Sequence, residues 1–147
     1  MITQKNENTD VGFTSSMVYL KKFIYKPDDT RILTKDLVAY HYDKKITVKE
    51  GFITDGASVP RLGWRVVGHP WSSYLPAAII HDALYAFHLT TREEADQIFY
   101  DLMISIGVSK WKAKIMHKAV RIFGSKPYND DRQMAAILNP NDYLEIK

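Results

Sequence analysis

Apolar positions change period about half-way along the chain. MVYLKKFIY, RILTKDLVAYHY and KKITVKEGFIT are rich in β-branched and aromatic residues, and Ile46, Val48 and Phe52 keep a rough alternation interrupted at Gly51. The first run is stopped by Pro27-Asp28-Asp29, and Asp43-Lys44-Lys45 offers a hairpin connection between the next two. This half predicts an antiparallel sheet of three or four strands.

The second half is helical. SSYLPAAIIHDALYAFHL predicts a helix capped by Ser72 or Ser73, with Pro76 tolerable in its first turn, running to about His88. TTREEADQIFYDLMISIG opens on a capping box, Thr91 with Glu94, and closes at Gly107. Its stripe is Ala95, Ile98, Phe99, Leu102, Met103 and Ile106. VSKWKAKIMHKAVRIFG predicts a third helix, capped by Ser109, buried through Trp111, Ile115, Ala119 and Ile122, and ended by Gly124 and Pro127. The fold class is therefore α+β, an N-terminal antiparallel sheet followed by a bundle of three helices. A flexible N-terminal arm over 1–12, one domain over 13–128 and a C-terminal tail over 129–147 are expected.

Composition narrows the chemistry. At 147 residues with 46% hydrophobic and 25% charged positions, the chain suits one ordinary globular domain. Its net charge of +3 is scattered, with only KKF and SKWKAK locally dense, so no specific nucleic-acid binding is expected. With no cysteine, disulfides, thiolate metal sites and thiol nucleophiles are excluded. No apolar run approaches a transmembrane length, and the polar start MITQKNENTD is unlike a signal peptide. Host cytoplasm or a phage virion is the expected location.

Two ionisable residues, His81 and Asp82, sit inside the otherwise apolar PAAIIHDALYAF. Burying such a pair costs several kcal/mol unless partners satisfy it. On a helix His81 and Tyr85 share a face, whereas Asp82 points about 100° away. If the first two helices form an antiparallel pair, Asp96 reaches the level of His81 to within roughly 3 Å. A carboxylate there would hold Nδ1–H of His81 and leave Nε2 as a base facing an open cleft. The bland alternatives are a core histidine bonded to a carbonyl and a first-turn aspartate favoured by the helix dipole. The loop ITDGASVPRLGW adds a tight turn at Asp55-Gly56, with Gly56, Ala57 and Ser58 able to offer carbonyls to a cation or amides to an oxyanion. Asp55 could instead pair with Arg61 or Arg92. Ser58 lacks the strand–elbow–helix context of an activated nucleophile.

With GFITDGASVPR, AAIIHDALY, TREEADQIFYDLM and AVRIFG in view, the chain resembles a phage- and prophage-associated family, domain of unknown function 1353. A second, local likeness is to small secreted bacterial and fungal phospholipases of the A-two type. It is carried by DGAS, the P-A-x-x-x-HD-x-x-Y helix and AD-x-x-F. That likeness implies His81 as general base, Asp96 and Tyr85 orienting it, and calcium or another divalent ion held by Asp82, Asp55 and the Gly56–Ser58 backbone. Unlike those enzymes, this chain has no cysteine and a large β-rich half.

Three function classes remain open. One is a phospholipase-like hydrolase acting on an ester or lipid. Another is a metal-dependent phosphohydrolase, with His41 or His69 supplying the upstream histidine. The third is a non-enzymatic virion, tail-associated or host-interaction protein. In that case the arm and tail would bind phage structural proteins and the His/Asp cluster would only fix helix packing.

Overall fold

The computed structural model describes residues 10–15, 17–22, 31–54, 73–130 and 142–147. Within them the strands are β1 (Val11–Phe13), β2 (Leu20–Lys22), β3 (Arg31–Leu33), β4 (Leu37–His41), β5 (Lys44–Val48) and β6 (Ile53–Thr54). The helices α1 (Leu75–Phe87), α2 (Arg92–Ser105), α3 (Lys110–Phe123) and short α4 (Ser125–Asp130) follow, and β7 (Leu144–Ile146) ends the chain. The architecture is α+β, antiparallel sheet first and helices after, with α4 added to the expected three.

Strands pair in the orders β1-β4-β5-β7 and β2-β3-β6, all antiparallel. In the larger sheet the inward residues fall directly opposite one another: Phe13 faces Ala39, Ala39 faces Ile46, and Val48 faces Leu37 and Leu144. All six are buried, so one sheet face is a continuous apolar surface. Against it lies α1, in which every residue from Pro76 to Phe87 is buried. A helix apolar on nearly all sides belongs inside a domain, and α2 packs beside it while also touching β1 and β4.

Several local expectations change. RILTKDLVAYHY divides into β3 and β4, which join different sheets; Asp36 between them accepts a hydrogen bond from the amide of Glu50 at 2.9 Å. The hairpin turn is Tyr42-Asp43, with Tyr42 at φ 55°, so Lys44 and Lys45 are strand residues opposite His41 and Tyr40. Val11 and Gly12, assigned to the arm, pair with His41 and Tyr40. The end of the expected tail is β7, whose Leu144 and Ile146 extend the sheet beside β5. Residues 1–9 and 131–141 lie outside the described residues.

Helix ends follow the sequence more closely. Thr91 caps α2, its hydroxyl accepting from the Glu94 amide, and Gly107 takes φ 91° just beyond the end. The cap of α1 is Tyr74, with Pro76 in the first turn, rather than Ser72 or Ser73. Gly124 ends α3 without positive φ. It is required by close approach instead: a Cβ there would collide with the Val120 carbonyl oxygen and the Tyr85 hydroxyl.

The buried face of α3 is Ala113, Met116 and Val120, whereas Trp111, Ile115 and Ile122 are 57%, 38% and 67% exposed. The expected face is thus reversed. Two apolar stripes of helical period share this helix, and the one with a small Ala113 and a pliable Met116 fits against α2. Met116→Ala is expected to cost about 2–5 kcal/mol in urea denaturation, and Ile122→Ala less than about 0.5 kcal/mol. Equal losses would contradict this assignment.

Candidate functional site

Between α1 and α2 the chain turns in a few residues, helped by His88 at φ 54°. The short link makes the helices neighbours and sets His81 level with Asp96. His81 Nε2 lies 2.8 Å from Asp96 Oδ1, and the Tyr85 hydroxyl, one turn along, donates to the same oxygen at 2.6 Å. Arg121 of α3 donates through Nη1 to Asp96 Oδ2 at 2.7 Å. Arg92 stands 3.9 Å from that oxygen and donates to the carbonyls of Val120 and Arg121, both at 3.2 Å, near the end of α3. One carboxylate therefore gathers groups from three helices. His81 and Asp96 are both 0% exposed. The imidazole lies beside the rings of Tyr85 and Phe99, at centroid distances of 4.1 and 4.6 Å.

Charge states follow from these contacts. Burial pushes the Asp96 carboxyl up, but the bonds from His81, Tyr85 and Arg121 outweigh it and hold the group below the ordinary carboxylate value. Burial lowers His81, opposed by its bond to Asp96, and the net direction is down. Burial, then the bond to Asp96, raises Tyr85. Near neutrality the cluster is an ionised Asp96, a neutral His81 and a protonated Tyr85. An ionised carboxylate has no proton to give, so both groups on Oδ1 are donors. His81 is consequently the Nε2–H tautomer, with its lone pair on Nδ1. The sequence expectation had the ring the other way round and placed it on an open cleft. It is corrected on both counts: Nε2 is held, and the ring is enclosed.

Asp82 faces elsewhere. The Thr54 hydroxyl donates to Asp82 Oδ2, and Asp82 is buried. Thr54 ends β6 and immediately precedes Asp55 in the sequence, so the carboxylate sits beside the last described residue before Asp55. Tyr74 feels the same charge: burial first, then Asp82, raises its hydroxyl. Asp55, Gly56, Ala57, Ser58, Arg61 and His69 lie outside the described residues. His41 does not join the cluster through its bond: its Nε2 lies 2.7 Å from Asp101 Oδ2, tying β4 to α2. Among the described residues no three His, Asp or Glu side chains form a group able to hold a metal.

Of the three residues expected to act together, His81, Asp96 and Tyr85, the structure brings together all. Arg121 and Thr54 were missed. Arg121 had a faint signal, since it follows buried Val120 and so stands at the border of the inner face of α3. Thr54 had none beyond its adjacency to Asp55.

A family described as "Protein of unknown function (DUF1353)" matches residues 32–120, more than half of the chain. The chain belongs to this family. Two relatives from Sinorhizobium fredii (strain NBRC 101917 / NGR234) are similar to it. Uncharacterized protein y4iH is 45% identical over 74 residues, 50% of this chain and 31% of that protein. Uncharacterized protein y4jT is 38% identical over 81 residues, 54% of this chain and 24% of that protein. The chain thus spans less than a third of either relative. No solved structure matches it. The DUF1353 match takes in Thr54, His81, Asp82, Tyr85 and Asp96 and stops one residue short of Arg121.

In this DUF1353 domain both His81 and Asp96 bind fewer protons folded than unfolded, so stability falls on acidification. The loss attributable to His81 begins as pH drops through the unfolded imidazole value of 6.5. That of Asp96 begins near the unfolded carboxyl value of 3.8. His117, also lowered chiefly by burial, adds to the first step. His81→Gln is expected to flatten the fall in urea-unfolding stability between about pH 7 and about pH 5, with His117 leaving a remainder. An unchanged slope would contradict the assignment of a buried neutral imidazole.

Proposed function

We propose that this domain carries a hydrolase-like site in which Nδ1 of His81 is the general base toward water, on a carboxylic ester such as a phospholipid. The observation that carries the reading is the buried Asp96 carboxylate accepting from Nε2–H of His81 and from Tyr85. It fixes both the tautomer and the plane of the ring, and it stabilises the imidazolium that would form when Nδ1 takes a proton. Arg121, on the other carboxylate oxygen, keeps Asp96 ionised throughout. Water oxygen would bond to the ester carbonyl carbon as its proton passes to Nδ1. The carbon–alkoxide bond then breaks, and the same proton leaves with the alcohol. The products are an acid and an alcohol, with His81 again neutral.

Asp82 is a described residue suited to a hard divalent cation such as calcium, since it supplies carboxylate oxygens beside Thr54, the residue before Asp55. Asp55 and the Gly56–Ser58 carbonyls would complete the set. A bound cation there would polarise the ester carbonyl. Because the imidazole is enclosed in this structure, water and substrate reach it only when covering groups move. The phage setting belongs to this proposal too, and its support is the motif resemblance alone.

One observation favours a second reading. Full enclosure of His81, with Asp96 held by three donors, is also what a purely structural polar knot requires. Hydrolysis assays on phospholipid vesicles and a soluble short-chain ester, with calcium present, separate the two. Hydrolysis is expected to rise with pH as His81 deprotonates, below the ordinary imidazole range, and to drop about 10²–10⁴-fold in folded His81→Asn. No hydrolysis, or equal rates in that variant, would leave the structural role. Calcium at one hundred times its dissociation constant is expected to stabilise the fold by about 2.7 kcal/mol, an effect absent in Asp82→Asn. No thermal shift with calcium would remove the cation from the proposal.

A further inference from the structure

The outer face of α3 has no part in the site. On a helix at about 100° per residue, Trp111, Ile115 and Ile122 fall within an arc of about 40°, opposite the buried Ala113, Met116 and Val120. They are exposed, and the stripe runs about 16 Å. Lys114 and Lys118 border it on one side and Lys112 on the other, with the Lys112 amine 5.5 Å from the Trp111 ring centroid. Half-exposed Phe123 lies beyond Lys112. KWKAKIMHKAVRIF contains neither Asp nor Glu.

We propose that this face docks the domain onto an anionic phospholipid surface. An apolar stripe flanked by lysines, two on one side and one on the other, fits the boundary of headgroups and acyl chains: aliphatic side chains enter, the amphipathic indole sits at the boundary, and the ammonium groups meet lipid phosphates. Charge separates this occupant from others. A second copy packed on the same face would bring these lysines together with no acid on the helix to pair them. A nucleic acid would meet the lysines but leave Ile115 and Ile122 wet. Among the described residues no helix is long and apolar enough to cross a membrane, so contact through α3 would be peripheral. This inference stands on α3 alone, and its failure would leave the His81 assays unaffected.

The test is co-sedimentation of the full chain with vesicles of phosphatidylcholine alone or mixed with phosphatidylglycerol, alongside sedimentation velocity without lipid. Binding to the anionic vesicles is expected to exceed that to neutral ones by about tenfold or more, and to weaken with salt. It is expected to fall by about tenfold or more in Trp111→Ala/Ile122→Asn and in Lys114→Glu/Lys118→Glu, each with an unchanged melting temperature because the side chains are exposed. Tyr42→Ser, exposed on the β4–β5 turn, should bind as the parent does. No pelleting with anionic vesicles overturns the proposal. So does binding that survives both double variants, or a dimer that Trp111→Ala/Ile122→Asn dissolves without vesicle binding by the parent.

Discussion

A carboxylate taken wholly out of water must be matched by donors, and in this domain Asp96 is so matched by three donors from the two helices on either side of its own. Its oxygens accept from His81 and Tyr85 of α1 and from Arg121 of α3, while it belongs to α2 itself. Removing any one donor leaves a buried charge short of a partner, which costs far more than an exposed ion pair contributes. Helix spacing and rotation are thereby coupled to one point. Gly124 shows how tightly: the chain passes so near the Tyr85 hydroxyl that no side chain fits.

The His81-Asp82 dipeptide serves two sides of α1. His81 faces the helices, and Asp82 faces Thr54 at the end of β6. Successive helical positions point about 100° apart, so adjacent residues are suited to such a division. One consequence is chemical. The nitrogen proposed as a base and the carboxylate proposed to hold a cation stand on neighbouring residues of a helix buried from Pro76 to Phe87, where their separation changes little. The other is structural, because the same pair ties the helical layer to the smaller sheet. Both roles are compatible with one geometry.

Much of this was legible in the sequence, and the reasons are local. The link between α1 and α2 is short, so counting residues from it placed His81 level with Asp96, and the side-chain bond confirms the level. Thr91 with Glu94 and the glycine at 107 marked the ends of α2 by chemistry confined to one turn. Non-local choices were hidden. Two apolar stripes on α3 have the same period, and only the shape of α2 decides which is inward. Arg121 reaches Asp96 across 25 positions, and β7 reaches β5 across nearly a hundred; neither distance leaves a periodic trace. The ring orientation of His81 turned on which nitrogen meets the carboxylate, a matter of side-chain rotation that residue type leaves open.

The protonation pattern is the point on which the rest turns, and the imidazole nitrogens report it directly. Long-range ¹H–¹⁵N NMR of the labelled protein near neutral pH would read the tautomer of His81. The expected result is a neutral ring with its proton on Nε2 and none on Nδ1. A proton on Nδ1, or a doubly protonated ring, would contradict the ionised Asp96 and the base assigned beside it.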